Sequence, residues 1–159
     1  MTSLLLSVTI LGLLGLAACG KGSTATSKCG PGVRETLDSN LNHVLPGGLE
    51  PTYLTDPPTS GPHTPGSLPT GVESTPLSKP VQVGALEAGI VLVQYRDPTD
   101  LEALRPLATG KTVVAPNPSL PARVVATAWL WKQTCSAVDT AALAGFAAEH
   151  ANKGPGTGR

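Results

Sequence analysis

Aromatic side chains are scarce in this chain: two Trp, two Tyr and one Phe among 159 residues. So few rings limit what aromatics add to a core and leave little for an aromatic binding platform. An excess of one charge is missing as well. Eleven basic and eleven acidic side chains cancel, so no field recruits nucleic acid or anionic lipid. Nucleic acid is thereby disfavoured as a partner on charge alone, and none is expected. No second long apolar run follows the first, which excludes a multi-pass membrane protein. The familiar catalytic signatures are absent too: no Cys-x-x-Cys, no phosphate-cradling glycine loop, no nucleophile elbow and no paired-carboxylate spacing.

The one long apolar run lies at the amino terminus, from Leu4 to Ala18, and ends in Leu16-Ala17-Ala18-Cys19. About fifteen residues are too few to cross a hydrocarbon core that needs roughly twenty. Small residues and the turn-prone Gly20-Lys21-Gly22-Ser23 follow it, as in a secretory cleavage region. The pattern is that of a bacterial lipoprotein signal over residues 1–18, with Cys19 the residue to be acylated, by palmitate or a similar chain; the alternative is an ordinary cleaved signal or an uncleaved anchor with an incidental cysteine. Met1-Thr2-Ser3 lacks the usual basic residues, which a different translation start would explain. One acyl chain holds a membrane only marginally, so stable anchoring calls for more than one on the mature terminus. The expected location is the bacterial cell envelope, outside the cytoplasm, with the membrane held through the lipid.

With Cys19 assigned to lipid, Cys29 and Cys135 remain. In an oxidising compartment a lone pair reads first as a disulfide. Closing so long a loop contributes roughly 4–5 kcal/mol in the chain-entropy model. Two free thiols serving as metal ligands or a redox couple are the alternatives.

Residues 19–28 read as a flexible tether, 29–155 as one domain and 156–159 as a tail. Pro46 to Pro80 holds nine prolines and five glycines, a composition that sustains neither helix nor central strand. The back half is more regular. Ile90 to Tyr95 is an apolar, β-branched strand. Asp97 starts a short helix carrying Leu101, Leu104 and Leu107. Lys111 to Ala115 is a second strand, and Arg123 to Trp131 a third, with Trp129 and Trp131 on one face. Ser136 caps a last helix carrying Leu143, Phe146 and Ala147, and His150 near its end suits the helix dipole. The expected fold class is α+β: a small, mostly antiparallel sheet in the order β-α-β-β-α, two helices on one face, after an irregular Pro/Gly-rich region. The short link between the second and third strands predicts that they pair antiparallel.

Chemistry concentrates near the proline-rich loop Pro57-Pro58-Thr59-Ser60-Gly61-Pro62-His63. Prolines preset its backbone, Gly61 permits a positive φ, and His63 is held in a defined direction, as a ligand-binding loop requires. His43 lies upstream and Glu87 downstream, at the start of the first strand. Together they make a 2-His-1-carboxylate set of the kind that holds zinc or iron; the alternative is three unrelated polar residues. Ser60 stands three residues from His63 without an orienting third group, so a serine hydrolase is disfavoured.

Asn42-His43-Val44, Tyr53 with the Pro-Pro-Thr-Ser-Gly-Pro-His run, Ala85-Leu86-Glu87, Val91 to Tyr95 and Thr127-Ala128-Trp129 together resemble the domain-of-unknown-function family DUF3105. The resemblance spans roughly Cys29 to Gly154. It implies that the segment Gly84-Ala85-Leu86-Glu87-Ala88-Gly89 corresponds to a family pattern His-x-Leu-Glu-His-Gly, with both histidines replaced here by Gly84 and Ala88. A family site of four histidines and a glutamate is thus reduced to His43, His63 and Glu87, which weakens any divalent metal. The expectation is an extracytoplasmic, non-catalytic module binding a protein or small ligand through the His63 loop; the alternative is a metal-binding protein or metalloenzyme using His43, His63 and Glu87.

Overall fold

The computed structural model describes residues 26–45 and 47–157. The signal segment 1–18, Cys19 and most of the tether lie outside the described residues, as do the last two positions of the tail. Among the described residues no helix is long and apolar enough to cross a membrane.

The class is α+β. In chain order the elements are β1 (Val33–Arg34), α1 (Lys79–Glu87), β2 (Val91–Tyr95), α2 (Leu101–Leu104), β3 (Thr112–Pro116), β4 (Val124–Ala128), β5 (Trp131–Cys135) and α3 (Thr140–His150). One sheet runs β1-β5-β4-β2-β3. Among the strands of this sheet, β2 and β3 pair in parallel and the other pairings are antiparallel. The parallel pair is the one joined by the helix-bearing crossover, which supplies the length such a connection needs.

Side-chain alternation divides the sheet into two apolar faces. Val91, Val93, Tyr95, Val114, Val124 and Ala126 pack with Leu104, Leu143 and Phe146, so α2 and α3 cover one face. Leu92 and Val113 pack with Ala85, Leu86 and Ile90 on the other, where α1 lies. All five residues of β2 are buried, which is why that segment reads as a continuous apolar run. Gln94 is buried with them. Its amide donates to Gln82 Oε1 of α1 at 3.0 Å, and its carbonyl accepts from Asn117 at 2.7 Å. This satisfied polar chain docks α1 on the sheet.

Several expectations are corrected. The stretch 123–131 is not one strand. It turns between Ala128 and Trp131, which pair across the β4–β5 hairpin. Leu130 takes φ 62°, a region that bulky residues seldom enter. Two backbone bonds hold it there: its N–H donates to Thr59 O, and its carbonyl accepts from Glu35 N–H. Trp131 therefore packs on the α3 side and Trp129 on the α1 side, not on one face. β3 and β4 are not neighbours either. The outer edge of β3 is taken by the proline-rich segment, where Val72 bridges Val114, and β4 pairs with β2 instead. The last helix is capped by Asp139, whose carboxylate accepts from Ala142 N–H, rather than by Ser136. Burial disfavours the charged form of His150 expected at the helix end. The ring is buried against Trp131 and Phe146, with ring centroids 4.7 and 4.5 Å away, and desolvation lowers its pKa below 6.5. Finally, α1 occupies positions expected to be loop and strand start. Pro80 sits in its first turn, where a missing N–H costs nothing. Cys29 and Cys135 form a disulfide.

Candidate functional site

The proline-rich loop is a buried layer rather than a surface loop: residues 57–63 are all buried. The Asp56–Pro57 peptide is cis. Ser60 Oγ accepts from Asp38 N–H at 2.9 Å, so its hydroxyl anchors the preceding segment. Gly61 takes φ 130°, in keeping with the positive φ expected of it. A side chain there would press on the Tyr53 ring. Tyr53 in turn donates its hydroxyl to Pro62 O at 2.9 Å. Burial, reinforced by the Glu50 and Asp38 carboxylates, pushes that phenol up to about 12, so the donor keeps its proton at neutral pH.

This scaffold aims His63. His63 N–H donates to Asn42 O, and Val44 N–H donates to His63 O, so residues 43 and 63 pair as a parallel bridge. Bridge partners project to the same side. The two imidazoles accordingly meet edge to face, with centroids 4.8 Å apart and planes at 79°. Glu87 arrives from the last turn of α1, which is fastened to the loop by Thr64 N–H donating to Pro80 O. Beyond it, Gly156 N–H donates to Glu87 O, so the segment assigned to the tail packs against the end of α1.

One ligand atom from each of His43, His63 and Glu87 lies within 4.8 Å of the others. The three expected site residues thus converge from three separate segments. His63 is only 3% exposed. Its Nδ1 lies 3.1 Å from Gly61 O, and a carbonyl only accepts, so Nδ1 carries a proton and Nε2 presents a lone pair in the neutral ring. Nε2 stands 2.8 Å from Glu87 Oε2 yet makes no hydrogen bond. A proton or a metal ion between them would satisfy both atoms. Bonds of about 2 Å put the ligands of a tetrahedral ion about 3.3 Å apart; here the three atoms lie within 4.8 Å of one another.

Two cavities open on the cluster. One, of about 320 Å³, is lined by His43, His63 and Glu87 together with Gly84, Ala88 and Leu68, among others. The second, of about 420 Å³, is lined by the same three residues and by Leu37, Leu41, Trp129 and Pro155. Of the loop residues Pro57, Pro58, Thr59, Ser60, Gly61, Pro62 and His63, His63 alone lines either cavity; the others hold it from behind. Positions 84 and 88 lie one helical turn apart on the face that carries Glu87, and both line the first cavity. Gly84 also lets the loop approach α1: a Cβ there would stand 2.9 Å from Thr64 O. Residue chemistry pointed to His43, His63 and Glu87 but not to the helix that delivers Glu87. Pro80 fits a first helical turn, but at the end of a proline-rich run it reads equally as loop.

The sheet, the buried proline-rich layer and the His-His-Glu cluster define a small α+β domain with a cleft lined by two histidines and a glutamate. The profile of the family described as "Protein of unknown function (DUF3105)" matches residues 48–159, and the chain belongs to that family. The match includes His63 and Glu87, while His43 precedes it. No curated protein and no solved structure matches the chain.

Proposed function

We propose that this chain is a lipid-anchored, extracytoplasmic domain that binds one divalent transition-metal ion through His43, His63 and Glu87. The observation that carries the metal reading is His63 Nε2: buried, without a hydrogen bond, and 2.8 Å from a carboxylate oxygen. Two imidazoles and a carboxylate suit zinc or iron and leave a coordination position open. The cavities beside the cluster give that position access to a ligand, which keeps a binding module and a metal protein compatible. Cys19 as the acylated residue and the Cys29–Cys135 disulfide support a place outside the cytoplasm, since structural disulfides persist in oxidising compartments.

Calorimetric titration of the full chain, purified without a histidine tag, tests the metal. The expected result is one zinc ion per chain, with binding abolished in His63→Ala and sharply weakened in Glu87→Gln. A chain that takes up no zinc, or takes it up equally well as His63→Ala, overturns the reading. The anchor is tested separately: labelled palmitate should enter the wild-type chain and not Cys19→Ser.

A further inference from the structure

We infer that the open position of this site takes a small monoanion with an apolar body, its charged head on the ion and its body against Leu37, Leu41 and Trp129. The inference rests on the metal reading above. Its own support is the shape and charge of the larger cavity. At about 420 Å³ that cavity falls within the usual size of small-molecule sites, roughly 300–1,000 Å³. Its walls are unequal. His43, His63 and Glu87 line one part, and Leu37, Leu41, Trp129 and Pro155 line the rest. A molecule seated there meets polar chemistry at one end only.

Charge narrows the class. Among the described residues no Lys or Arg lines either cavity at the cluster. A divalent ion held by two neutral imidazoles and one carboxylate keeps a single positive charge, which a monoanionic head such as a carboxylate or hydroxamate neutralises. A phosphate dianion would leave a negative charge in a cleft that no basic side chain lines among the described residues, and burying an unpaired charge is costly. The apolar wall argues for the body. Leu37 and Leu41 remain 48% and 42% exposed, and covering such surface is favourable. Leu37 and Leu41 precede His43 in the same segment, so the chain that brings the first histidine also brings the wall.

Calorimetry on the zinc-loaded full chain tests this with three probes: acetohydroxamate, benzohydroxamate and inorganic phosphate. The first two share a head and differ in the body. Benzohydroxamate should bind roughly 10- to 100-fold more tightly, from burial of the ring, and phosphate should bind more weakly than either. In Leu37→Ala/Leu41→Ala the preference for benzohydroxamate should shrink toward that of the smaller probe, and a zinc titration of the same variant shows whether the ion is still held. Zinc binding with equal affinity for the two hydroxamates, or with phosphate preferred, overturns the inference and leaves the metal reading intact. Absence of zinc binding in the wild-type chain overturns both.

Discussion

His43 and His63 are partners in a parallel bridge, two backbone hydrogen bonds holding their imidazoles edge to face at 4.8 Å. Backbone pairing, rather than side-chain packing alone, brings the two rings together. His63 is buried behind the proline-rich layer and His43 is exposed at the rim. A ligand atom of Glu87 lies within 4.8 Å of both. The cluster has one shielded member and one solvent-facing member, the arrangement that the proposed metal site requires.

Positions 84 and 88 can be used to strengthen that site, but not equally. Ala88 lines the cavity at the end of α1, so Ala88→His should add a fourth ligand and tighten zinc binding by about tenfold or more. Gly84 has no room for a side chain, because a Cβ would stand 2.9 Å from the Thr64 carbonyl. Gly84→Ala should therefore destabilise the fold by about 1–3 kcal/mol. Zinc titration of the first variant and urea denaturation of the second check the pair.

The Cys29–Cys135 disulfide closes a loop with a sequence separation of 106 residues. Flanking backbone bonds from Gly30 N–H to Thr134 O and from Ser136 N–H to Lys28 O make it the outer fastening of β5. Cys29→Ala/Cys135→Ala should lose about 2–5 kcal/mol of stability. Denaturation with and without a reducing agent should show the same loss in the wild-type chain and no further loss in the variant.

His150 makes stability pH-dependent. Desolvation holds its folded pKa below the ordinary value of 6.5, so the unfolded chain binds its proton more readily. Its contribution is fully present above that value and is lost as the pH falls from 6.5 through the folded pKa. Urea midpoints measured from pH 7.5 to pH 5 should fall more steeply for the wild type than for His150→Phe, which keeps an apolar ring beside Trp131. Parallel curves would contradict this assignment.

The elements legible in the sequence were those whose local pattern and burial agree. The run through Val91 to Tyr95 is buried on both sides, and Leu143, Phe146 and Ala147 face one core, so strand and helix could be read directly. The turn at Leu130 could not, because a leucine at positive φ is set by bonds to Glu35 and Thr59 far away in sequence. α1 was hidden for a different reason. Residues 82–86 are all buried, so no polar face marks its period, and Pro80 reads as loop. Strand order escaped because the edge of β3 is filled by Val72, a long-range pairing that short connections do not reveal. For the site, residue chemistry singled out His43, His63 and Glu87. Their convergence depends on the bridge and on α1, neither of which has a local signal.

The most direct measurement is the anomalous difference map of a zinc-soaked crystal of this chain. The account predicts one peak between α1 and the proline-rich layer, about 2.0–2.2 Å from a nitrogen of His43, His63 Nε2 and an oxygen of Glu87. A zinc ion bound elsewhere, or a His63 Nε2 that keeps Glu87 as its partner while no ion enters, would contradict it.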